Sequence, residues 1–350
     1  MRPAFVDLLC CNSCGGELGL EGMADDDGHV INGTLRCRQC NTSFPIDSGV
    51  PRLLPGDQNR CVVRENTAAR FGFEWHEFSK FDQAVETMSM ATWFSPKRLS
   101  DLAGLTVLDA GCGMGRHAVV AAAQGVERLV GLDLGHAVDA AFANTRHLES
   151  VCIVQGDIYH PPVRDAVFDA AYSLGVLHHV PDPKRGFAAL AGKVKPGGWF
   201  QVWLYAREGN GLILWVLNPV RRLTSRMPLR LLKLLSGLIA VPFVLAAKTI
   251  YRIPGLGSHL PYSQYMRWFA VGSFAKSHAI IFDQLLTPVA YYMRRDEVLA
   301  LVSVPGWSVE AIEHNRGMSW GMTARRASAT YSDNASNKSD ALPRQQPATR

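Results

Sequence analysis

The stretch Val107–Gly115, VLDAGCGMG, carries the strongest signal for the fold of this chain. Val107 and Leu108 are typical of the end of a buried strand, and Asp109 follows them. Because glycine has no Cβ, it lets the backbone approach a ligand closely. The stretch therefore predicts a tight, ligand-binding turn built on Gly111, Gly113 and Gly115. The turn leads into a predicted helix, Arg116–Gln124, which ends before Gly125.

A second acid, Asp133, ends the next predicted strand, RLVGLDL. In a doubly wound sheet, an acid at the tip of the second strand binds ribose hydroxyls. A nicotinamide dinucleotide fold is the first alternative, but its pattern is G-x-G-x-x-G, whereas the spacing here is G-x-G-x-G. Asp109 also lies just before the turn, where a carboxylate would repel a pyrophosphate and attract an ammonium group. Both features favour a nucleoside that carries an amino acid.

Two further strand ends complete the pattern. Gly156-Asp157-Ile158 follows a third predicted strand, and Ser173-Leu174 ends a fourth. With VLDAGCGMGR and Asp133, these residues resemble the class I S-adenosylmethionine (SAM) methyltransferases. The resemblance implies that Asp157 accepts a hydrogen bond from the adenine amino group and that Ile158 packs on the ring. It implies SAM as cofactor, with contacts from Asp109, Gly111, Gly113, Gly115, Asp133, Leu134, Asp157, Ile158, Ser173 and Leu174.

His178 and His179 lie between the fourth strand and a predicted helix. An imidazole titrates near neutral pH and can act as a general base, so both are candidate catalytic residues. A paired histidine before V-P-D-P is also frequent in the resembled family at the start of a helix, and this interpretation is favoured. Methyl transfer depends mainly on positioning a methyl group that positive sulfur already activates. The catalytic residues therefore stay unassigned from the sequence.

Two C-x-x-C pairs near the amino terminus predict a structural zinc site with Cys11, Cys14, Cys37 and Cys40 as ligands. Cys10 is a competing ligand, but the spacing to Cys14 favours Cys11. A redox site needs one such pair rather than two, and four thiolates leave no open position for catalysis. The segment LLCCNSCGGEL, with the later PIDSGVPRLLP, resembles the zinc ribbon of the small activator subunit of tRNA methyltransferases. The resemblance implies a metal-folded domain that docks a partner or touches substrate.

The composition fits an enzyme with an added small module. The chain has 350 residues, 47% of them apolar, and a net charge of +5, which allows a catalytic domain and a smaller one. Met1–Leu9 lacks the apolar core of a secretory signal. The eight cysteines suggest metal binding or free thiols rather than disulfides. We therefore expect a cytoplasmic location.

The order of predicted elements gives an α/β fold class. It is a Rossmann-like, seven-stranded SAM methyltransferase fold with a small amino-terminal zinc ribbon and a helical insertion after the fifth strand. The predicted regions are a ribbon (1–56), a helical connector (57–103), the methyltransferase core (104–205 and 295–326), the insertion (206–294) and a disordered tail (327–350). The second part of the core is predicted as a helix, Asp296–Val304, and two antiparallel strands, Trp307–His314 and Met318–Arg325.

Aromatic residues recur at roughly helical spacing in the connector. The favoured interpretation is that its helices pack across the entrance of the SAM cleft. The sharper alternative is that Phe71, Trp75 or Trp93 lines the substrate side.

The insertion has no Asp or Glu between Gly209 and Phe282, and it holds the basic residues Arg221, Arg222, Arg226, Arg230, Lys233, Lys248, Arg252, Arg267 and Lys276. This block predicts an anionic partner. Its most apolar run, Leu234–Ala247, is shorter than the ~20 residues that span a bilayer, and Pro242 interrupts it. The favoured interpretation is a helix lying in a membrane interface. A lid packed on the domain and a membrane-spanning hairpin are the alternatives.

From Ser258 onward the insertion is rich in aromatic residues beside Arg and Lys. Such residues stack on nucleic-acid bases or wall an apolar pocket. The run FDQLLTPVAYYMRRDEV resembles a segment that often precedes the last helix in small-molecule members of the resembled family. Candidate substrate contacts are His278, Asp283, Tyr291 and Tyr292, although a packed or solvated position is the commoner role for each.

Three functions follow from these observations. The favoured one is SAM-dependent methyl transfer to a small-molecule or lipid-linked acceptor at an anionic membrane surface. The second is an RNA methyltransferase whose ribbon and basic insertion bind phosphates, but the aliphatic insertion and the weakly basic ribbon argue against nucleic acid. The third is a non-catalytic scaffold, against which the intact acids Asp109, Asp133 and Asp157 argue. The sequence does not predict the oligomeric state.

Overall fold

The computed structural model describes residues 1–56, 61–287 and 290–328, and of residue 212 only the backbone. The first range holds a short 3-10 helix, Pro3–Leu8, and a four-stranded antiparallel sheet. Its strands are β1 (Leu18–Glu21), β2 (Gly33–Cys37), β3 (Ser43–Asp47) and β4 (Val50–Pro51). This small domain is called the ribbon below. Most of the predicted tail, from residue 329, lies outside the described residues.

A seven-stranded sheet forms the centre of the rest of the chain. Its strands are β5 (Thr106–Ala110), β6 (Arg128–Asp133), β7 (Val151–Gln155), β8 (Phe168–Leu174), β9 (Val194–Tyr205), β10 (Trp307–Asn315) and β11 (Ser319–Arg326). Their order is β10-β11-β9-β8-β5-β6-β7, in which β5 to β9 are mutually parallel and the β10–β11 hairpin is antiparallel. This sheet confirms the predicted fold class.

The described helices surround the sheet and form the connector and the insertion. They are α1 (Val62–Glu77), α2 (Gln83–Trp93), α3 (Arg116–Ala123), α4 (Ala137–Thr145), α5 (Pro183–Ala191), α6 (Gly211–Thr224), α7 (Leu229–Lys248), α8 (Leu256–His259), α9 (Ser263–Phe269), α10 (Phe274–Leu286) and α11 (Arg295–Leu299). The helix predicted over Asp296–Val304 is α11 followed by a 3-10 turn, Ala300–Val302.

The ribbon is built onto the edge of the large sheet. The Leu53 amide donates to the carbonyl of Gln155 in β7 at 2.9 Å, and the Cys10 amide donates to the carbonyl of Pro162 at 3.1 Å. Arg52 forms an ion pair with Asp139 of α4 at 2.6 Å. Because an open sheet edge pairs readily with other chains, the ribbon protects the β7 edge. Its apolar residues also share one core with the catalytic domain.

The predicted interruption at Pro242 is wrong. Helix α7 runs unbroken from Leu229 to Lys248, and its buried residues recur along one side as Leu232, Ser236, Ala240, Val244 and Ala247. With the following turn, Leu229–Arg252 is the one helix in the described ranges that is long and apolar enough to cross a membrane, with a mean hydropathy of 1.9 and 22% of its most apolar window buried. The length of this helix therefore does not exclude a membrane-spanning position.

Candidate active site

The glycine turn after β5 needs glycine for two reasons. Gly111, Gly113 and Gly115 all have positive φ angles, of 89°, 53° and 80°, which other residues rarely adopt. A Cβ at Gly111 would collide with the side chain of Val176, and one at Gly113 would lie 3.0 Å from the indole nitrogen of Trp75. The turn therefore lies directly beneath helix α1, which carries Trp75.

Asp133 stands at the end of β6 beside this turn. Its carboxylate accepts hydrogen bonds from the amides of Gly113 at 3.0 Å and Gly135 at 2.8 Å. Burial raises the pKa of this acid, and the backbone hydrogen bonds act in the opposite direction. Asp133 and Leu134 both line the large cavity described below. A carboxylate held in this way fits the hydroxyls of a ribose.

Asp157 has a protein partner that the sequence did not reveal. Arg64 of α1 donates a hydrogen bond to its Oδ2 within a buried ion pair, and the Tyr159 amide donates to Oδ1 at 2.9 Å. The Arg64 guanidinium lies 4.5 Å from the centre of the Tyr159 ring. The interaction predicted between Asp157 and an adenine amino group stays a prediction, and Arg64 shares the same carboxylate.

The structure separates the predicted cofactor residues into two sets. Those that line the cavity are Gly111, Gly113, Asp133, Leu134, Asp157, Ile158 and Leu174. Asp109, Gly115 and Ser173 lie behind this surface and are not among its lining residues. Asp109 is 1% exposed and accepts a hydrogen bond from the Tyr172 hydroxyl at 3.1 Å, and burial raises its pKa to about 8. A direct ion pair from Asp109 to an ammonium group is therefore not available in this conformation.

The cavity has a volume of about 870 Å³ and extends from the glycine turn into the insertion. Phe71, Trp75 and Trp93 of the connector all line it. Trp75 lies over Gly113, so α1 covers the cleft as the favoured interpretation has it. Contact of these aromatics with a substrate stays a prediction. Further aromatic side chains come from β9 and from the insertion, and they are Trp203, Tyr205, Phe243, Tyr251, Tyr262, Tyr265, Trp268, Phe269 and Tyr292. The walls are thus mainly apolar, as in most small-molecule sites.

A polar cluster lies on the insertion side of the cavity. The Tyr205 hydroxyl donates to Asp283 at 3.0 Å and accepts from the Gln284 amide at 2.7 Å. The Gln284 side-chain oxygen accepts from Arg221 at 2.7 Å and from the Tyr292 hydroxyl at 3.0 Å. Burial raises the pKa of Tyr205 well above its usual value, so its hydroxyl keeps its proton and donates. Of the four insertion candidates, Asp283 and Tyr292 therefore face the cavity.

The other two insertion candidates serve the packing of the insertion. His278 bonds through Nε2 to the Ser236 hydroxyl and the Lys233 carbonyl, both at 2.9 Å, and so joins α10 to α7. Tyr291 is 45% exposed, and its amide donates to the His178 carbonyl at 2.8 Å. Neither residue lines the cavity.

The two candidate histidines differ in position. His178 is fully buried behind the cavity wall, with its ring 4.0 Å from that of Tyr205, and burial lowers its pKa well below the usual value. Within the described ranges, neither of its ring nitrogens has a hydrogen-bond partner. A general-base role for His178 therefore has no route to a molecule in the cavity. His179 does line the cavity, beside Phe71.

Glu74 of α1 is a second acid that the sequence did not reveal. It lines the cavity, is 1% exposed, and its Oε2 has no hydrogen-bond partner in the described part of the chain. Burial raises the pKa of Glu74 well above the usual value, and the nearby Asp283 raises it further. The shift favours the protonated carboxylic acid, which can donate a hydrogen bond into the cavity.

The four predicted zinc ligands come together in the ribbon. All ligand sulfurs lie within 4.8 Å of one another, with Cys11 and Cys40 at 3.6 Å and Cys14 and Cys37 at 3.5 Å. Tetrahedral zinc with Zn–S bonds of about 2.3 Å separates its sulfurs by roughly 3.8 Å, so the cluster fits the metal. Cys10 is outside the cluster and Cys11 is within it, which favours Cys11 as the ligand.

Comparison with known proteins agrees with this geometry. A family described as methyltransferase domain matches residues 108–202, and a family described as Trm112p-like protein matches residues 2–49. A ubiquinone biosynthesis O-methyltransferase of Marinobacter nauticus is 31% identical over 168 residues, which are 46% of this chain and 68% of that protein. The chain belongs to the SAM-dependent methyltransferases. The predicted cofactors, SAM and structural zinc, are thereby supported, and the scaffold alternative is not.

Other relatives match a smaller part. A tRNA U34 carboxymethyltransferase of Methylococcus capsulatus is 33% identical over 115 residues, which are 32% of this chain and 36% of that protein. The chain spans about a third of the length of this relative and of an uncharacterised protein of Synechococcus sp.. Among solved structures, a magnesium protoporphyrin IX methyltransferase from Synechocystis is 14% identical in sequence and has a TM-score of 0.45. The match covers 76% of this chain and 99% of that chain.

Proposed function

We propose that this methyltransferase acts on a small, largely apolar acceptor that binds in the cavity beside the cofactor. The observation that carries the proposal is the continuity of the cavity. Gly111 and Asp133 line one part, and Trp268 and Asp283 line another. Ligand pockets commonly measure roughly 300–1,000 Å³. At about 870 Å³, this one has room for a cofactor and an acceptor side by side.

The chain's own residues supply positioning and proton transfer in this proposal. Bound SAM supplies a methyl group activated by positive sulfur. Asp283 is held by the Tyr205 hydroxyl and accepts the proton of the acceptor's nucleophile, while Glu74, whose protonated form burial favours, donates a hydrogen bond to the acceptor. The aromatic walls exclude water and hold the acceptor in line, and such orientation supplies much of the acceleration in group transfer.

The finer part of the proposal is that the acceptor is lipid-linked and reaches the cavity from an anionic membrane surface. Trp215 and Leu223 of α6 are 78% and 70% exposed, and Leu238 of α7 is 64% exposed. This apolar surface belongs to the acid-free basic block, a combination that suits an anionic interface. Val216 and Phe243 are about half exposed and also line the cavity, so its mouth opens beside the apolar surface.

Vesicle sedimentation tests the membrane part. The double variant Leu223→Gln with Leu238→Gln keeps good helix formers and removes apolar surface. We expect it to lose binding to phosphatidylcholine vesicles containing phosphatidylserine by about tenfold or more. The matched control is Met23→Gln, which removes a 90% exposed methionine from the ribbon. Equal binding by both variants and the wild type would remove the membrane from the proposal.

Separate acceptor pools test the acceptor class. Protein and methyl-labelled SAM are incubated with an organic extract of cells, with total RNA and with total protein in three parallel reactions. We expect label in the organic pool, and loss of that label in Asp283→Asn with unchanged binding of S-adenosylhomocysteine (SAH). Label in the RNA pool instead would overturn the proposed acceptor.

RNA is the second candidate acceptor because one relative is named a tRNA U34 carboxymethyltransferase and the insertion is basic. In that case the exposed arginines would contact phosphates, and binding would weaken steeply with salt. RNA binding that is absent or independent of salt would eliminate this candidate.

A further inference from the structure

Three cations meet at one corner of the cavity, around two tryptophans, Trp93 and Trp268, that pack edge to face. Lys276 Nζ lies 5.7 Å and Arg316 Cζ lies 5.2 Å from the centre of the Trp268 ring. Arg116 Cζ lies 5.4 Å from the centre of the Trp93 ring, and the two indole rings are 6.2 Å apart. All three cations line the cavity, so their charges face the space proposed for ligands.

The corner carries more positive than negative charge. The carboxylate that pairs with two of these cations is Glu86, which is 3% exposed. It lies 2.9 Å from Lys276 and 3.7 Å from Arg116. Arg316 has no ion pair with a carboxylate among the described residues, and its guanidinium donates to the Thr92 hydroxyl at 2.9 Å. A partly buried charge without a counter-charge is unfavourable, and a bound anion would remove that cost.

The backbone of Arg316 gives an independent reason to assign it a role. Arg316 and Gly317 form the turn between β10 and β11 with φ angles of 50° and 69°. Turns with two positive φ angles favour Asn-Gly or Asp-Gly, because Asn, Asp and Gly tolerate that conformation best. An arginine here is strained, and strained non-glycine residues cluster at ligand sites.

We propose that Arg316, together with Arg116 and Lys276, binds an anionic group of the acceptor, such as a carboxylate or a phosphate. The inference rests on the proposed function and narrows its substrate class to an apolar molecule with one anionic group. The cofactor also has a carboxylate, which is the other possible source of the anion. The contacts of Arg316 with Thr92 and Trp268 tie it to the connector and the insertion, whereas the predicted cofactor contacts lie at the strand ends. The acceptor is therefore the source that we favour.

Isothermal titration of the SAH-loaded protein with dodecanoate and with dodecanol tests the inference, because the two probes differ in the anionic group alone. We expect the wild type to bind dodecanoate about tenfold more tightly than dodecanol. The test variant is Arg316→Asn, which removes the charge and suits the positive φ, so the turn stays folded. It should lose the preference for dodecanoate while dodecanol affinity stays unchanged. The control Arg267→Gln removes an exposed neighbouring cation and should behave as the wild type.

Each contrary result has a separate meaning. Equal affinity of the wild type for dodecanoate and dodecanol overturns the anion site and leaves the apolar cavity standing. If Arg316→Asn weakens the binding of SAH and not of dodecanoate, the anion is the cofactor's carboxylate and the inference is wrong. If neither probe binds the wild type, the inference and the proposed acceptor cavity fail together.

Discussion

Asp109 makes the stability of the folded chain depend on pH in a direction that the structure defines. Burial beneath the glycine turn raises its pKa from the ordinary value of 3.8 to about 8, and the Tyr172 hydroxyl partly opposes the shift. Between these values, the folded state holds a proton that the unfolded state has lost. The stabilisation is therefore complete below pH 3.8 and is lost as pH rises through about 8.

The magnitude follows from the linkage relation. One proton of difference changes the free energy of unfolding by about 1.4 kcal/mol per pH unit. Between roughly pH 5.5 and pH 7.5, the wild type should lose about 2.5 kcal/mol through this residue. Asp109→Asn has a side chain of nearly the same shape that does not titrate, so it should show no such loss.

Urea unfolding of wild type and Asp109→Asn in zinc-containing buffer measures the effect. As pH rises across this range, the free energy of unfolding of the wild type should fall by about 2.5 kcal/mol relative to that of the variant. Tyr172→Phe removes the donor that lowers the pKa, and should extend the pH-dependent loss to higher pH. A difference between wild type and Asp109→Asn that stays constant with pH would refute the reasoning.

Three further predictions concern zinc, the glycine turn and the acceptor cavity. Cys14→Ser should reduce the bound zinc, which elemental analysis measures. It should also lower the melting temperature of the whole chain, because the ribbon shares a core with the catalytic domain. An unchanged melting temperature would contradict the shared core. Gly111→Ala should weaken SAH binding, measured by titration, far more than Gly125→Ala. Both glycines have a positive φ, but only a Cβ at position 111 would collide with another side chain, that of Val176. Equal effects of the two substitutions would contradict the close approach at the turn. Asp283→Asn should lower kcat by roughly 10²-fold or more with SAH affinity unchanged, as expected on loss of a general base; a change confined to KM would instead assign Asp283 to binding.

The sequence predicted those parts of the molecule that are determined by residues close together along the chain. The glycines of Val107–Gly115 and the two C-x-x-C pairs act through short turns, and their spacing is visible in one stretch of sequence. The strand ends were likewise predicted from short stretches such as RLVGLDL. Even there, the sequence did not separate Asp133, which lines the cavity, from Asp109, which lies behind it.

Residues that reach the site through tertiary packing escaped prediction. Arg64 and Glu74 lie in α1, a helix that the spacing of its aromatic residues placed at the entrance of the cleft. That spacing does not show which of its polar side chains face the cavity. Tyr205 had a signal, because it ends the fifth strand as Leu174 ends the fourth. Pro242 was misjudged because a proline interior to a helix costs stability, and packing of α7 on α10 offsets that cost.

The most direct test of the central claim identifies the methylated product. Protein and SAM deuterated in its methyl group are incubated with a whole cell extract, and mass spectrometry finds the molecules that gain the deuterated methyl. We expect a small apolar molecule with one anionic group, whose labelling disappears in Asp283→Asn. A deuterated methyl found in a nucleoside released from RNA would contradict it.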